Sequence, residues 1–432
     1  MLKSHRLRRL GGLNGASHKV ILPNQKIKDK NTIIMKKVIC LVICLLSLCH
    51  AQEPAAQQPG PKKFPEEVLQ TPPVVFAVGH DYQIMVPVVT EAMISCEING
   101  KTYYDANNGV INTATRVRRM TVPQAELNAA KEYTLCCRVV KKRKEYFTQT
   151  ESLQKKTYAF RPLEKTENIK IFMLPDTHDH VKASIAAAQY FGKELDLLIL
   201  NGDISEGLSG YNNIAQIYKI AGGVTNGEIP VVYARGNHEL RGAMAEQLPL
   251  YAPVRDGYFY YTFRLGPIWG IVLDCGEDKD DGHAEYGHAV ACHDFRVKET
   301  DYLKRVIANA ANEYDAADVK YRLIVCHVPF MHINNKPFDI ELDIYREWCK
   351  LLRENVKPHL MLCGHFHTIR VVRPGHAWDN LGQPCTVVIG SRPGGTMDDY
   401  TGTAIELTTE KAAVHFVHNT LKIEGEDVIE FK

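Results

Sequence analysis

Five apolar runs that each end in Asp, Asn or His constrain this chain more than any other feature. The first three alternate with helical text. "IKIFMLPDTHDH" reads as a buried strand with a polar end, "VKASIAAAQYFGKE" as a helix and "LDLLILNGDISEG" as a strand. "YNNIAQIYKIAG" follows as a helix and "EIPVVYARGNHEL" as a strand. This β-α-β-α-β order predicts a parallel sheet. Functional groups in such sheets gather beyond the carboxyl ends of the strands. Here those ends carry Asp176 and His178, then Asp203, then Asn237 and His238. Further on, "YRLIVCHVPF" delivers His327, and "HLMLCGHFHT" delivers His365 and His367. One such residue at one strand end is commonplace; five sets at five ends are not.

As a group these side chains make chemical sense. Asp, His and Asn without thiolates suit zinc, manganese or iron. They are too many for one four-coordinate ion, so two ions sharing a carboxylate is the economical arrangement. Two ions about 3.5–4 Å apart can bridge a hydroxide and clamp the oxygens of an in-line displacement at phosphorus. Two divalent charges, less two aspartates and a hydroxide, leave a net charge of about +1 that attracts phosphate.

The series D-x-H (Asp176, His178), G-D (Gly202, Asp203), G-N-H-E (Gly236 to Glu239), a lone His327 and G-H-x-H (Gly364 to His367) resembles the calcineurin-like metallophosphoesterase superfamily. The resemblance covers roughly residues 168–420. It implies an α/β four-layer αββα sandwich, with Asp176, His178 and His367 on one metal and Asn237, His327 and His365 on the other. Asp203 would bridge the two. It further implies that His238 protonates the leaving oxygen while a metal-bridging hydroxide attacks phosphorus. Glu239 would orient the His238 imidazole. For Arg235 a phosphate contact and a structural ion pair stand equal. His178 rather than His180 is the expected ligand in "DTHDH". Iron-tyrosinate (purple) acid phosphatases carry a tyrosine in G-D-x-x-Y, where this chain has Glu206. Their layout, a β-sandwich before the phosphoesterase, is nevertheless similar. The fuller G-D-x-V-D-R-G of protein serine/threonine phosphatases is also absent, which argues against a phosphoprotein substrate.

Composition sets the frame. Of the 432 residues, 45% are hydrophobic, enough for a large core. The formal net charge of +2 is uneven. Residues 1–51 hold ten of the 52 Lys/Arg and one of the 50 Asp/Glu, leaving 42 bases against 49 acids, a formal −7. A remainder that acidic lacks the positive field of a nucleic-acid binder. From Met35, two lysines, the apolar run Val38–Leu48 and small residues near Ala51 form a secretory signal. That run is too short to span a bilayer comfortably. A lipid-modified Cys49 is a second option. The expected organisation is an upstream extension over 1–34, a signal peptide over 35–51 and a Pro/Gln-rich linker over 52–73. A small all-β immunoglobulin/fibronectin-like domain over 74–165 comes next, then the metallophosphoesterase domain over 166–432. The address is exported: periplasm, cell surface or secreted. Nine cysteines remain beyond the signal, an odd number that leaves at least one thiol free or bonded to another molecule. Cys96 with Cys136 or Cys137 is the expected disulfide.

The expected activity is a phosphomonoesterase using two divalent or transition ions (Fe, Zn or Mn). A phosphodiesterase acting on lipid, nucleotide or glycan phosphate is one alternative. A non-catalytic surface-binding protein using its β-sandwich is another. The loop 275–295, with His283, His288 and His293, is placed to shape substrate choice, and its charge run Glu277–Asp281 is expected to be a solvated turn. "SRPGG" at 391–395 reads as a loop near the site or a simple turn. "TAIELTT" and "AAVHFVHNT" read as strands closing the second sheet.

Overall fold

The computed structural model describes residues 62–431, and these lie in one compact unit. The upstream extension, the signal segment and the start of the linker fall outside them. Two sheets lie face to face at the centre. The first has ten strands, and its middle runs Tyr400–Leu407, Ile169–Leu174, Leu197–Asn201, Pro230–Ala234. The last three are parallel, with Ile171 beside Leu197 and Ile199 beside Val232, as the alternation predicts. The second has six strands, in the order Tyr261–Leu265, Ile268–Leu273, Tyr321–Cys326, Leu360–Cys363, Thr386–Gly390, Ile369–Val372.

Side-chain alternation builds the layers. Ile169, Ile171 and Met173 point between the sheets, where they meet Leu323, Val325, Leu360 and Leu362. Phe172 and Leu174 point the other way, into the cluster holding Ile214, Ile217 and Tyr218 of helix Tyr211–Thr225. On the far side Ile324, Cys326, Met361 and Cys363 pack with Leu303 of helix Cys292–Ala308 and Trp348 of helix Leu342–Leu351. Helix, sheet, sheet, helix: this is the four-layer αββα sandwich.

Four expectations need correction. The segment 74–165 does not stand apart from the phosphoesterase half. Its strands Val74–Val78, Asp81–Pro87 and Val117–Pro123 extend the first sheet, and Val74–Val78 pairs in parallel with Pro230–Ala234. The rest of the segment forms another sheet, Ala92–Ile98, Lys101–Tyr104, Glu132–Lys142 and Gln154–Ala159, that packs on this extension. A β-sandwich is therefore present, but one of its leaves is the catalytic sheet, and both share the central core through Ile84, Val86, Ile94 and Leu135. The described end of the linker is folded too, because Phe64 and Val68 insert into that core. The C-terminal strands Tyr400–Leu407 and Lys411–His418 close the first sheet, not the second, Ile405 lying opposite Ile171. Finally, all nine cysteines of the described region are free and buried. Register puts Cys96 opposite Leu135 rather than either candidate partner.

Candidate metal centre

The polar strand ends of both sheets converge at one mouth. Asp176 and His178 follow Ile169–Leu174, Asp203 follows Leu197–Asn201, and Asn237 and His238 follow Pro230–Ala234. His327 follows Tyr321–Cys326, while His365 and His367 follow Leu360–Cys363. The turns that aim them are strained. Asp176, His178, Asp179, Asp203, His365 and His367 all have positive φ, between 39° and 72°. Left-handed backbone at a non-glycine residue costs about 1–3 kcal/mol and persists where surrounding structure enforces it. The motif glycines meet a different demand, close approach. A Cβ on Gly202 would lie 2.6 Å from the His327 ring, and one on Gly364 would lie 2.5 Å from Asp176 Oδ2.

The ligand atoms form two clusters. In one, His178 Nε2 and His367 Nε2 are 2.9 Å apart, and His367 Nε2 is 3.6 Å from Asp176 Oδ1. In the other, His327 Nε2 lies 3.0 Å from Asp203 Oδ2, and His365 Nδ1 lies 3.1 Å from Asn237 Oδ1. Asp203 Oδ2 faces both clusters, being 3.9 Å from His178 Nε2. All seven expected ligands are thus brought together. His180 is not among them. Its Nδ1 sits 3.0 Å from the Asp399 carbonyl, in agreement with the choice of His178.

The donor set fits cations. His327 directs Nδ1 to the Asn201 carbonyl (2.7 Å), which puts a proton there and turns the buried Nε2 toward Asp203 Oδ2. The His178 and His367 Nε2 atoms converge to 2.9 Å, near enough for both to ligate one ion once neither carries a proton. Asn237 turned end for end would offer its NH₂ to Asp203 and His365, whereas a cation selects the oxygen-inward orientation. Burial alone would lower the His327 pKa, but Asp203 and Asp176 outweigh it and bring the imidazole up to about 10. Burial carries His365 the other way, down to about 4, helped by the neighbouring His327. Burial would raise the Asp203 carboxyl, yet His327, His238 and His178 hold it well below the usual range.

The expected catalytic residues divide. His238 stands at the mouth with Nε2 3.9 Å from Asp203 Oδ2, its ring fixed by Nδ1 against the Glu206 carbonyl at 2.8 Å. Arg235 does not reach the mouth. It is half-buried, pairs with Asp274 at 2.7 Å and lies over the rings of Phe259 and Phe295. Glu239 does not orient His238 either. Its buried carboxylate accepts the backbone N–H groups of Asp203, Ile204 and Gly236 at 2.7–2.8 Å, tying two strand ends together.

Other residues stand where those two were expected. Arg241 brings Nη1 to 3.4 Å from His238 Nε2, and its fork is held at 2.8 and 2.9 Å by Glu277. Glu277 is fully buried, so this part of the charge run is no solvated turn. Ser391, from "SRPGG", donates to Asp176 Oδ2, and Glu206 Oε2 lies 2.9 Å from His178 Nδ1. A basic residue three places beyond His238, just past the short turn His238–Leu240, was the signal available for Arg241. The carboxylate of Glu277 gave none. The loop histidines stay clear of the centre: His283 caps a short turn and His293 pairs with Glu341 at 3.0 Å.

Residues 169–368 match the family described as calcineurin-like phosphoesterase. Among solved structures, purple acid phosphatase PPD1 from yellow lupin (Lupinus luteus) seeds aligns at a TM-score of 0.52 and 12% identity, over 84% of this chain and 75% of that one. PhoD aligns at 0.51 and 11% identity, over 86% and 90%. At those identities the likeness is one of fold. No curated protein matches the chain.

Proposed function

Through residues 169–368 this chain belongs to the calcineurin-like phosphoesterase family, and we propose that it is an exported phosphomonoesterase working with two divalent cations. The observation that carries this reading is the convergence of His, Asp and Asn ligand atoms on both sides of Asp203 Oδ2. Asp176, His178 and His367 would hold one ion and Asn237, His327 and His365 the other, with Asp203 shared. Ions so held lower the pKa of water and offset charge on phosphoryl oxygens.

The chain's own groups supply the rest. With Nδ1–H donated to the Glu206 carbonyl, a protonated His238 presents Nε2–H to the mouth. There it gives its proton to the departing alcohol oxygen. Arg241, its fork fixed by Glu277, turns Nη1 toward the same space and meets a phosphoryl oxygen. This favours a monoester. A monoester keeps three unsubstituted oxygens, two for the cations and one for Arg241, whereas a diester keeps two.

The test is hydrolysis of p-nitrophenyl phosphate and its bis ester, with and without chelator. The monoester should be cleaved faster, chelator should stop cleavage, and added zinc, manganese or iron should restore it. Faster cleavage of the bis ester would make the protein a diesterase. Cleavage of neither by metal-replete protein would favour a non-catalytic surface-binding role. The exported address rests on residues 35–51. Among the described residues no helix is long and apolar enough to cross a membrane.

A further inference from the structure

Far from the metal ligands in sequence, the hairpin between Glu132–Lys142 and Gln149–Thr150 carries "KKRKEYF" over residues 141–147. Its two aromatic side chains contribute nothing to the core, Tyr146 being 80% exposed and Phe147 92%. Phe147 also has φ 57°, a conformation that a bulky side chain adopts at a cost. The tip is closed by Thr148, whose hydroxyl donates to the Lys144 carbonyl at 3.1 Å. Around the rings stand four exposed cations. Of Lys141, Lys142, Arg143 and Lys144, only Lys141 has an ion-pair partner among the described residues, Glu151 at 3.5 Å.

The neighbouring surface continues the pattern. Arg143 lines a recess with Val110 and Leu250, which are 59% and 55% exposed. Apolar tips ringed by cations thus occupy one face of a protein whose residues beyond 51 carry a formal −7. A protein partner would meet these rings with a pocket or groove and would tend to cover the flanking bases with acids at fixed positions. A lipid surface needs neither. Aromatic rings partition into the headgroup region, and each nearby Lys or Arg is attracted to anionic lipid.

We propose that the 141–147 hairpin docks the protein peripherally on anionic phospholipid, Phe147 and Tyr146 entering the interface and Lys141, Lys142, Arg143 and Lys144 facing the phosphates. The occupant is the lipid surface itself, whatever ester the metal centre hydrolyses.

The test uses the chain from Gln52 onward, which retains the whole compact unit of residues 60–432. It is sedimented with vesicles of phosphatidylcholine alone, or of phosphatidylcholine with phosphatidylglycerol. Binding is expected only with the anionic lipid and should weaken as salt is raised. Replacing the four bases by Gln should lower the partition coefficient by roughly three orders of magnitude. Tyr146→Ser with Phe147→Ser should lower it by about tenfold. Unchanged thermal unfolding of these surface variants separates lost docking from lost fold. No binding to anionic vesicles, or equal binding by wild type and variants, would overturn the proposal. Capture by immobilised polyglutamate without vesicle binding would also overturn it, in favour of an acidic protein partner.

Discussion

The two central sheets bring unlike donors to the mouth. From the first come the oxygen donors Asp176, Asp203 and Asn237, together with the single nitrogen donor His178; from the second come only imidazoles, His327, His365 and His367. Each cluster draws on both. His367 completes the set begun by Asp176 and His178, while Asp203 and Asn237 complete the one that holds His327 and His365. Neither sheet alone completes either cluster, so the centre exists only once the sandwich has closed. The first sheet supplies the negative charge, and the second supplies neutral ligands that leave the net charge positive enough for phosphate.

The largest test of that division is Asp203→Asn, which alters the carboxylate that stands 3.0 Å from His327 and 3.9 Å from His178. Turnover of p-nitrophenyl phosphate should fall by roughly four orders of magnitude, with metal lost by elemental analysis. Full metal content in that variant would break the comparison. Next is His238→Ala, which removes a mouth residue that belongs to neither ligand cluster. Metal content should hold while kcat drops about 10²–10⁴-fold, more steeply for poor leaving groups.

Arg235 and Arg241, six residues apart on the first sheet's side, sharpen the contrast. Arg235→Ala strands a buried Asp274 and should cost about 3–5 kcal/mol in unfolding free energy, measured by denaturant titration. Arg241→Lys keeps the charge but loses the fork, and should raise KM about tenfold with little change in unfolding midpoint. The smallest effect belongs to the second sheet. With its pKa near 10 in the metal-free protein, His327 is protonated at pH 7 and must release that proton to bind an ion. Calorimetry in buffers of different ionisation enthalpy should find about one proton released per His327-bound metal.

The ligands were legible because each sits just past an apolar run, where strand text stops and a charged or imidazole side chain has no packing reason to be. Glu239 misleads, and Arg235 stays open between two readings, for the same reason: adjacency to Asn237 and His238 in the chain says nothing of which side of the turn each side chain takes. Arg235 falls behind the strand against Phe259 and Phe295, and Glu239 turns back to collect backbone N–H groups. Arg241 depends on Glu277, a partner 36 residues away that only the fold supplies. Sheet membership was hidden likewise. Nothing in "VVFAV" or "TAIELTT" records which sheet's edge each strand will meet.

The parallel pairing of Val74–Val78 with Pro230–Ala234 bears on how the molecule can be divided. A version trimmed to residue 166 would uncover a row of unanswered N–H and C=O groups along the strand that leads to Asn237, a template for joining neighbouring copies. Cutting the N-terminal segment away should therefore yield insoluble material rather than a smaller folded protein.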